Sequence, residues 1–278
     1  MIVFLNGKFV DAEDAKISVF DHGFLYGDGV YETLRTYNGK IWQTEKHIAR
    51  LRKSAKLLSI KVSWSTVQIK KWLEILIKKN EFKESRIRLT VTRGENKFNF
   101  KTCVNPSILI VAEKLKLQPK RIYKKGVNVV TAKIERFLPA AKSISLLPLI
   151  TGRSRINSRI YEAIFVTREG FVTEGTVTNI FIVKKSVLIT PKDKILLGTT
   201  RGFVIKLARE ASLRVRIMNF KVSELQGADE VFITNAPRGI VPVCKVDGKK
   251  IGNGKVGEIT GMLMKIFSDK VKKYGREN

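Results

Sequence analysis

Apolar residues recur along the chain in two rhythms, every second position in short runs and every third or fourth in longer ones. IVFL and KFV flank Asn6-Gly7, a dipeptide suited to a two-residue turn, so the chain is expected to open with a β-hairpin. Between Thr44 and Leu58, the residues Ile48, Leu51, Ala55 and Leu58 fall on one helical face, with Thr44 as N-cap and Glu45 in the first turn. A second helix is predicted over 65–79 with Val67, Trp72, Ile75 and Leu76 on its apolar face. RIRLTVTRG and PSILIVAEK then read as two strands around a polar loop, 95–105.

A proline, several bases and few apolar residues mark 116–125 as an interdomain connection. That sets a small N-terminal α/β domain at 1–115 and a larger C-terminal domain at 126–278. In the latter, VNVVTAKI reads as a strand, followed by a neutral stretch at 137–152 and a helix reaching about Arg159. EAIFVTREGFVTEG reads as a strand-turn-strand, TNIFIVKK and VLIT as another pair, and a helix is predicted from Thr199 or Thr200 to Ala211. RVRIMNF, DEVFITN and IVPVCKVDGKKI follow as strands, the last turning at Asp247-Gly248, and an amphipathic helix begins near Gly257. Helices enter singly among many strands, so the fold class is α+β or mixed α/β rather than a repeating parallel βαβ wheel.

Composition narrows the partners. The 278 residues carry 53 Lys plus Arg against 25 Asp plus Glu, a formal charge of +28, yet a hydrophobic fraction of 44% is that of an ordinary globular protein. The bases are scattered in ones and twos with no nucleic-acid motif, which leaves a nucleic-acid-binding protein as a remote alternative. Cys103 and Cys244 lie far apart with no Cys-x-x-Cys, so a reducing compartment is expected. His22 and His47 offer no zinc-ligand spacing. Without an apolar run of ~18–20 residues or a basic leader, a cytoplasmic protein without membrane partners is expected.

Against so many bases, the informative positions are those where charge disappears. Lys142 is the one charge in 137–152, and an ammonium isolated among small and apolar neighbours suits a Schiff-base or general-base lysine; a lysine snorkelling from a strand edge is the plainer alternative. Glu174 is the one charge in FVTEGTVTNIFIV, beside the polar patch Thr176, Thr178 and Asn179. Such a carboxylate requires a cation, which can be a protonated pyridine nitrogen or one of the many bases. LLGTTRG puts Gly198, Thr199 and Thr200 at a helix start, a place for a phosphate or a plain cap. Together these are the three handles of pyridoxal 5′-phosphate: aldehyde, ring nitrogen and phosphate.

These residues sit in the blocks FDHGFLYGDGVYETLRTYNGK, HIARL, KSISLL, EAIF with VTEGTVTNIF, LLGTTR and VDGKKIGNGKVGE. In this order the chain resembles the class IV, fold-type IV pyridoxal-phosphate enzymes over nearly its whole length. That family includes D-amino-acid aminotransferases, branched-chain aminotransferases and aminodeoxychorismate lyases. The resemblance implies a two-domain homodimer with the cofactor between the domains. It makes Lys142 the Schiff-base lysine and Glu174, with Thr178 and Asn179 beside it, the ring-nitrogen side. It gives Arg50, Thr199 and Thr200 to the phosphate and Tyr31 to the substrate pocket.

Departures bear on substrate. The loop that supplies a carboxylate-gripping arginine and histidine in D-amino-acid aminotransferases reads ENKFNFK here, with neither residue; Lys97 substitutes only loosely, as a point charge rather than a fork. The late loop TNAPRGIVPV resembles that of the lyases and puts Asn235, Ala236 and Arg238 on the substrate side. The YET and VDGKKIGNGKVGE blocks favour D-amino-acid transfer with a 2-oxo acid acceptor, with the lyase and the branched-chain enzyme as alternatives.

Overall fold

The computed structural model describes residues 1–96, 98 and 105–276. In chain order its elements are β1 (Ile2–Leu5), β2 (Lys8–Asp11), α1 (His22–Tyr26), β3 (Gly29–Tyr37), β4 (Lys40–Ile41), α2 (Thr44–Leu57), α3 (Thr66–Asn80), β5 (Ser85–Thr92) and β6 (Ile108–Lys114). Then come α4 (Lys120–Lys125), β7 (Val127–Lys133), α5 (Leu147–Arg153), β8 (Glu162–Val166), β9 (Val172–Gly175), β10 (Asn179–Lys184), β11 (Val187–Thr190) and α6 (Thr199–Glu210). The chain closes with β12 (Val215–Ile217), α7 (Val222–Gln226), β13 (Glu230–Asn235), β14 (Gly239–Val246), β15 (Lys249–Lys250) and α8 (Glu258–Arg276). Two compact units result. The first takes Met1–Lys116, Ala141–Leu146 and the end of α8 from Val271; the second takes Leu117–Ala140 and Leu147–Lys270. A short piece of the C-terminal half, Ala141–Leu146, thus belongs to the first unit, and the 116–125 connection itself contains α4.

The first unit is an antiparallel sheet in the order β2-β1-β6-β5-β3-β4. The expected hairpin forms at Asn6-Gly7, where φ is 46° and 93°, angles that a two-residue turn demands and that glycine adopts at little cost. Helices α2 and α3 cover one face with Ile48, Leu51, Ile69, Leu73 and Leu76 against Phe4, Leu34, Ile87 and Ile110. Two expectations are corrected here. The N-cap of α2 is Gln43, in the left-handed region, while the Thr44 hydroxyl turns back to donate to the Ile41 carbonyl at 3.2 Å. In α3, Ser65 and Gln68 form a capping box, and the buried stripe is Ile69, Leu73, Leu76 and Ile77, spaced i, i+4, i+7, i+8. Val67 is 76% exposed, and Trp72 lies on the flank, stacked on Phe4 at 4.4 Å.

In the second unit the strand pairing β10-β13-β14-β7-β8-β9 returns to β10 through Glu174 and Asn179, closing a ring of six strands, with β11, β12 and β15 as extensions. Pairs β7/β8, β7/β14 and β11/β12 are parallel and the rest antiparallel, the mixed architecture expected. Val129, Ile164, Ile180, Ile182, Val231 and Val241 fill its core. Helix α5 stops at Arg153 rather than near 159. The Asn157 side chain captures the backbone N–H groups of Arg159 (2.8 Å) and Ile160 (3.1 Å), which a continuing helix would need for itself. Among the described residues no helix is long and apolar enough to cross a membrane.

Candidate active site

In the first unit, β3 is buried on both faces. Alternation sends Val30, Glu32 and Leu34 towards α2 and Tyr31 to the opposite face. β4 pairs only with Thr36 and Tyr37, and the start of β3 receives 142–144 instead. Tyr31 N–H donates to the Lys142 carbonyl and Ile144 N–H to the Gly29 carbonyl, both at 2.9 Å. The approach requires glycine at position 29, where a Cβ would stand 2.8 Å from both Ile144 Cδ1 and the Val91 carbonyl. Ser54 of α2 accepts the Lys142 N–H at 3.0 Å, so the lysine backbone is pinned from two sides.

The half-buried Lys142 places Nζ 4.5 Å from the centre of the Tyr31 ring. Arg88 of β5 places its guanidinium carbon 4.0 Å from the same centre. Burial pushes the Arg88 pKa down, opposed by the Tyr31 hydroxyl, and the guanidinium keeps its charge. Behind β3, Glu32 accepts from Arg50 Nε at 2.7 Å and Nη2 at 2.6 Å, and His47 Nδ1–H donates to it at 2.7 Å. Burial alone would raise the Glu32 carboxyl, but the charge and fork of Arg50, then His47, hold it at about 2. Burial pushes His47 below its ordinary value, more than Glu32 beside it compensates; the ring is neutral at neutral pH.

In the second unit the buried Glu174 does meet a cation, the guanidinium of Arg136, at 2.6 Å. Its other oxygen accepts from the Leu196 N–H at 2.9 Å and faces Asn179 Nδ2 at 3.5 Å. Asn179, at the start of β10, also donates to the Leu196 carbonyl at 2.8 Å, so β9 and β10 are both tied to the loop that leads into α6. Gly198 caps α6 next to Thr199 and the buried Thr200, and a Cβ there would lie 2.1 Å from Asn179 Oδ1. The Thr178 hydroxyl is turned to Glu162, 3.3 Å away. Glu135, Arg136, Phe165, Thr173, Glu174 and Lys194 line a small cleft.

The late loop turns back on itself, Arg238 N–H donating to Asn235 Oδ1 at 3.0 Å with Ala236 half-buried beside it. Arg238 stands 5.0 Å over the Tyr161 ring, and burial raises the Tyr161 pKa against the opposing charge of Arg238. Lys97 lies outside the described residues. The first unit therefore brings Tyr31 and Lys142 together, with Arg50 held on the other face of β3 by Glu32; the second brings Glu174 and Asn179 together beside the loop that leads to Thr199 and Thr200, while Thr178 turns to Glu162. Sequence reading did not single out Glu32, His47, Arg88, Arg136 or Glu162. Among the described residues no group of three or more His, Cys, Asp or Glu could hold a metal ion.

The family model for amino-transferase class IV matches residues 29–246. The chain belongs to the class IV aminotransferases. A Methanocaldococcus jannaschii protein curated as "Putative branched-chain-amino-acid aminotransferase" is 40% identical over 99% of this chain and 98% of its own. A Bacillus licheniformis D-alanine aminotransferase is 34% identical, covering 94% of this chain and 93% of its own. Among solved structures, the Escherichia coli branched-chain amino acid aminotransferase superposes with a TM-score of 0.92 at 28% identity, over 98% of this class IV chain and 95% of that one. Class IV aminotransferases use pyridoxal 5′-phosphate.

Proposed function

We propose that the protein transfers the amino group of α-amino acids to a 2-oxo acid, with Lys142 as its catalytic amine. The observation that carries this is the placement of Lys142 Nζ 4.5 Å from the centre of the Tyr31 ring, an aromatic that the guanidinium of Arg88 also contacts at 4.0 Å. Each unit holds groups suited to pyridoxal phosphate: in the first an amine for its aldehyde and a guanidinium for its phosphate, in the second a buried carboxylate for its ring nitrogen and two hydroxyls at a helix start for its phosphate. When bound, that group supplies the carbonyl that takes up the amino group and the ring that accepts electrons from the broken Cα–H bond. Lys142 Nζ removes the proton from the substrate Cα as general base. Glu174, which accepts from Arg136, is the carboxylate that would face the ring nitrogen. Arg50, Thr199 and Thr200 bind the phosphate, and Tyr31 lines the substrate side.

Arg88 takes the substrate carboxylate, a role for which its planar fork is better suited than the point charge of a lysine such as Lys97. Because the loop after β5 contains no arginine–histidine pair, this grip and the 40% relative favour branched-chain substrates. The D-alanine relative and the YET block favour D-amino acids as the second reading. A panel of D- and L-amino acids with 2-oxoglutarate, read as keto acid formed, separates the two; 4-aminobenzoate formed from aminodeoxychorismate would overturn both. Lys142→Ala should lower turnover by at least about a thousandfold.

The active form is a homodimer in this reading. The exposed Ile17, Val19, Phe20 and Phe24 of the first unit form an apolar surface suited to a second copy. Sedimentation as a monomer at micromolar concentration would contradict it. The compartment is a reducing cytoplasm, in which the buried Cys244 stays a free thiol.

A further inference from the structure

Helix α2 presents His47, Arg50 and Ser54 on one face, three and four residues apart, and all three are used by the first unit's site. Ser54 holds the backbone of Lys142, and the other two converge on Glu32. A carboxylate with no exposed surface, on the strand face otherwise occupied by Val30 and Leu34, is a costly way to fill a core. An apolar side chain would have filled the same space, so the charge calls for a function. The side-on fork fixes the guanidinium plane of Arg50 through Nε and Nη2 and thereby fixes where Nη1 points. His47, neutral and donating, holds the carboxylate in the orientation that makes the fork possible.

We propose that Glu32 is a positioning residue that aims Arg50 at the cofactor's phosphate, so that grip on the phosphate depends on a carboxylate that never touches it. This rests on the reading of Arg50 as the phosphate-binding arginine. An arginine free to choose among rotamers must lose that freedom when phosphate binds, whereas one already forked does not. Glu32 should therefore contribute to discrimination between pyridoxal phosphate and pyridoxal, which lacks the phosphate, rather than to affinity for the ring.

The test strips the full-length protein of cofactor and measures its dissociation constants for pyridoxal phosphate and for pyridoxal. Glu32→Gln should weaken pyridoxal phosphate about tenfold or more, the scale of one charge-assisted hydrogen bond, and leave pyridoxal within about twofold. Arg50→Lys should lower the same preference, and adding Glu32→Gln to it should lower it little further, since the two act through one contact. If Glu32→Gln does not fold, Glu32→Asp, which keeps the charge and withdraws it by one methylene, is read for the same ratio. A Glu32 variant that weakens both ligands equally, or neither, while Arg50→Lys lowers the preference, overturns the inference alone. An Arg50→Lys protein with unchanged preference overturns the reading of Arg50, and the inference with it.

Discussion

Glu32 in the first unit and Glu162 in the second are both strand carboxylates with almost no exposed surface, and they are held in opposite ways. Glu32 is met by charge, the Arg50 fork at 2.6–2.7 Å with His47 beside it. Glu162 is met by neutral groups: the N–H of Ala163 (3.0 Å) and Thr176 (3.2 Å) and the hydroxyls of Thr176 (2.6 Å) and Thr178 (3.3 Å). The difference separates two uses of a buried carboxylate. Glu32 fixes a cation. Glu162 gathers the backbone and hydroxyls of the turn that carries Glu174 and Asn179, and Gly175 lets it come close, because a Cβ there would stand 2.1 Å from Thr178 Oγ1 and 3.0 Å from Glu162 Cγ.

The contrast can be broken by mutation. Glu32→Gln leaves the half-buried Arg50 opposite a neutral group and should cost about 3 kcal/mol in denaturant-melt stability. A comparable effect should appear in the wild type on acidification. The Glu32 carboxyl lies at about 2 in the fold against an ordinary 4.5, so its contribution is fully present above pH 4.5 and lost as pH falls through about 2. Its size is about 3 kcal/mol, and stability–pH curves of Glu32→Gln should lack that slope. Gly175→Ala should cost ~1–3 kcal/mol by forcing the turn away from Glu162, read as a lowered Tm. Smallest of all, Glu162→Gln should stay within about 1 kcal/mol, because its amide oxygen keeps the N–H donors and its NH2 donates to the Thr178 hydroxyl. An equal loss for the two Glu→Gln changes would erase the distinction between the two sites.

The same contrast explains what the sequence disclosed. Lys142 and Glu174 stood out because charge vanishes around them, and Thr199 and Thr200 because helix starts have a recognisable chemistry. Glu32 lies in a stretch with Asp28 and Arg35 nearby, so no gap in charge marks it. Its signal was subtler: alternation puts it in line with the apolar Val30 and Leu34, and the helical spacing of 47, 50 and 54 places partners on one face of α2. Arg136, the cation of Glu174, had no local signal, since its partner is 38 residues away and only the folded ring of strands brings them together. The helices were legible in position but less so in facing. In α3 the expected face and the buried one share Leu76, and packing against Phe4 and the strands puts Ile69 and Leu73, not Val67, in the core.

The central claim concerns one amine. The purified full-length protein, reconstituted with pyridoxal phosphate and reduced with borohydride, can be digested and its peptides weighed. The expected result is loss of the yellow absorbance and a pyridoxyl adduct on Lys142, absent from Lys142→Ala. An adduct on another lysine, or none after reconstitution, would contradict it.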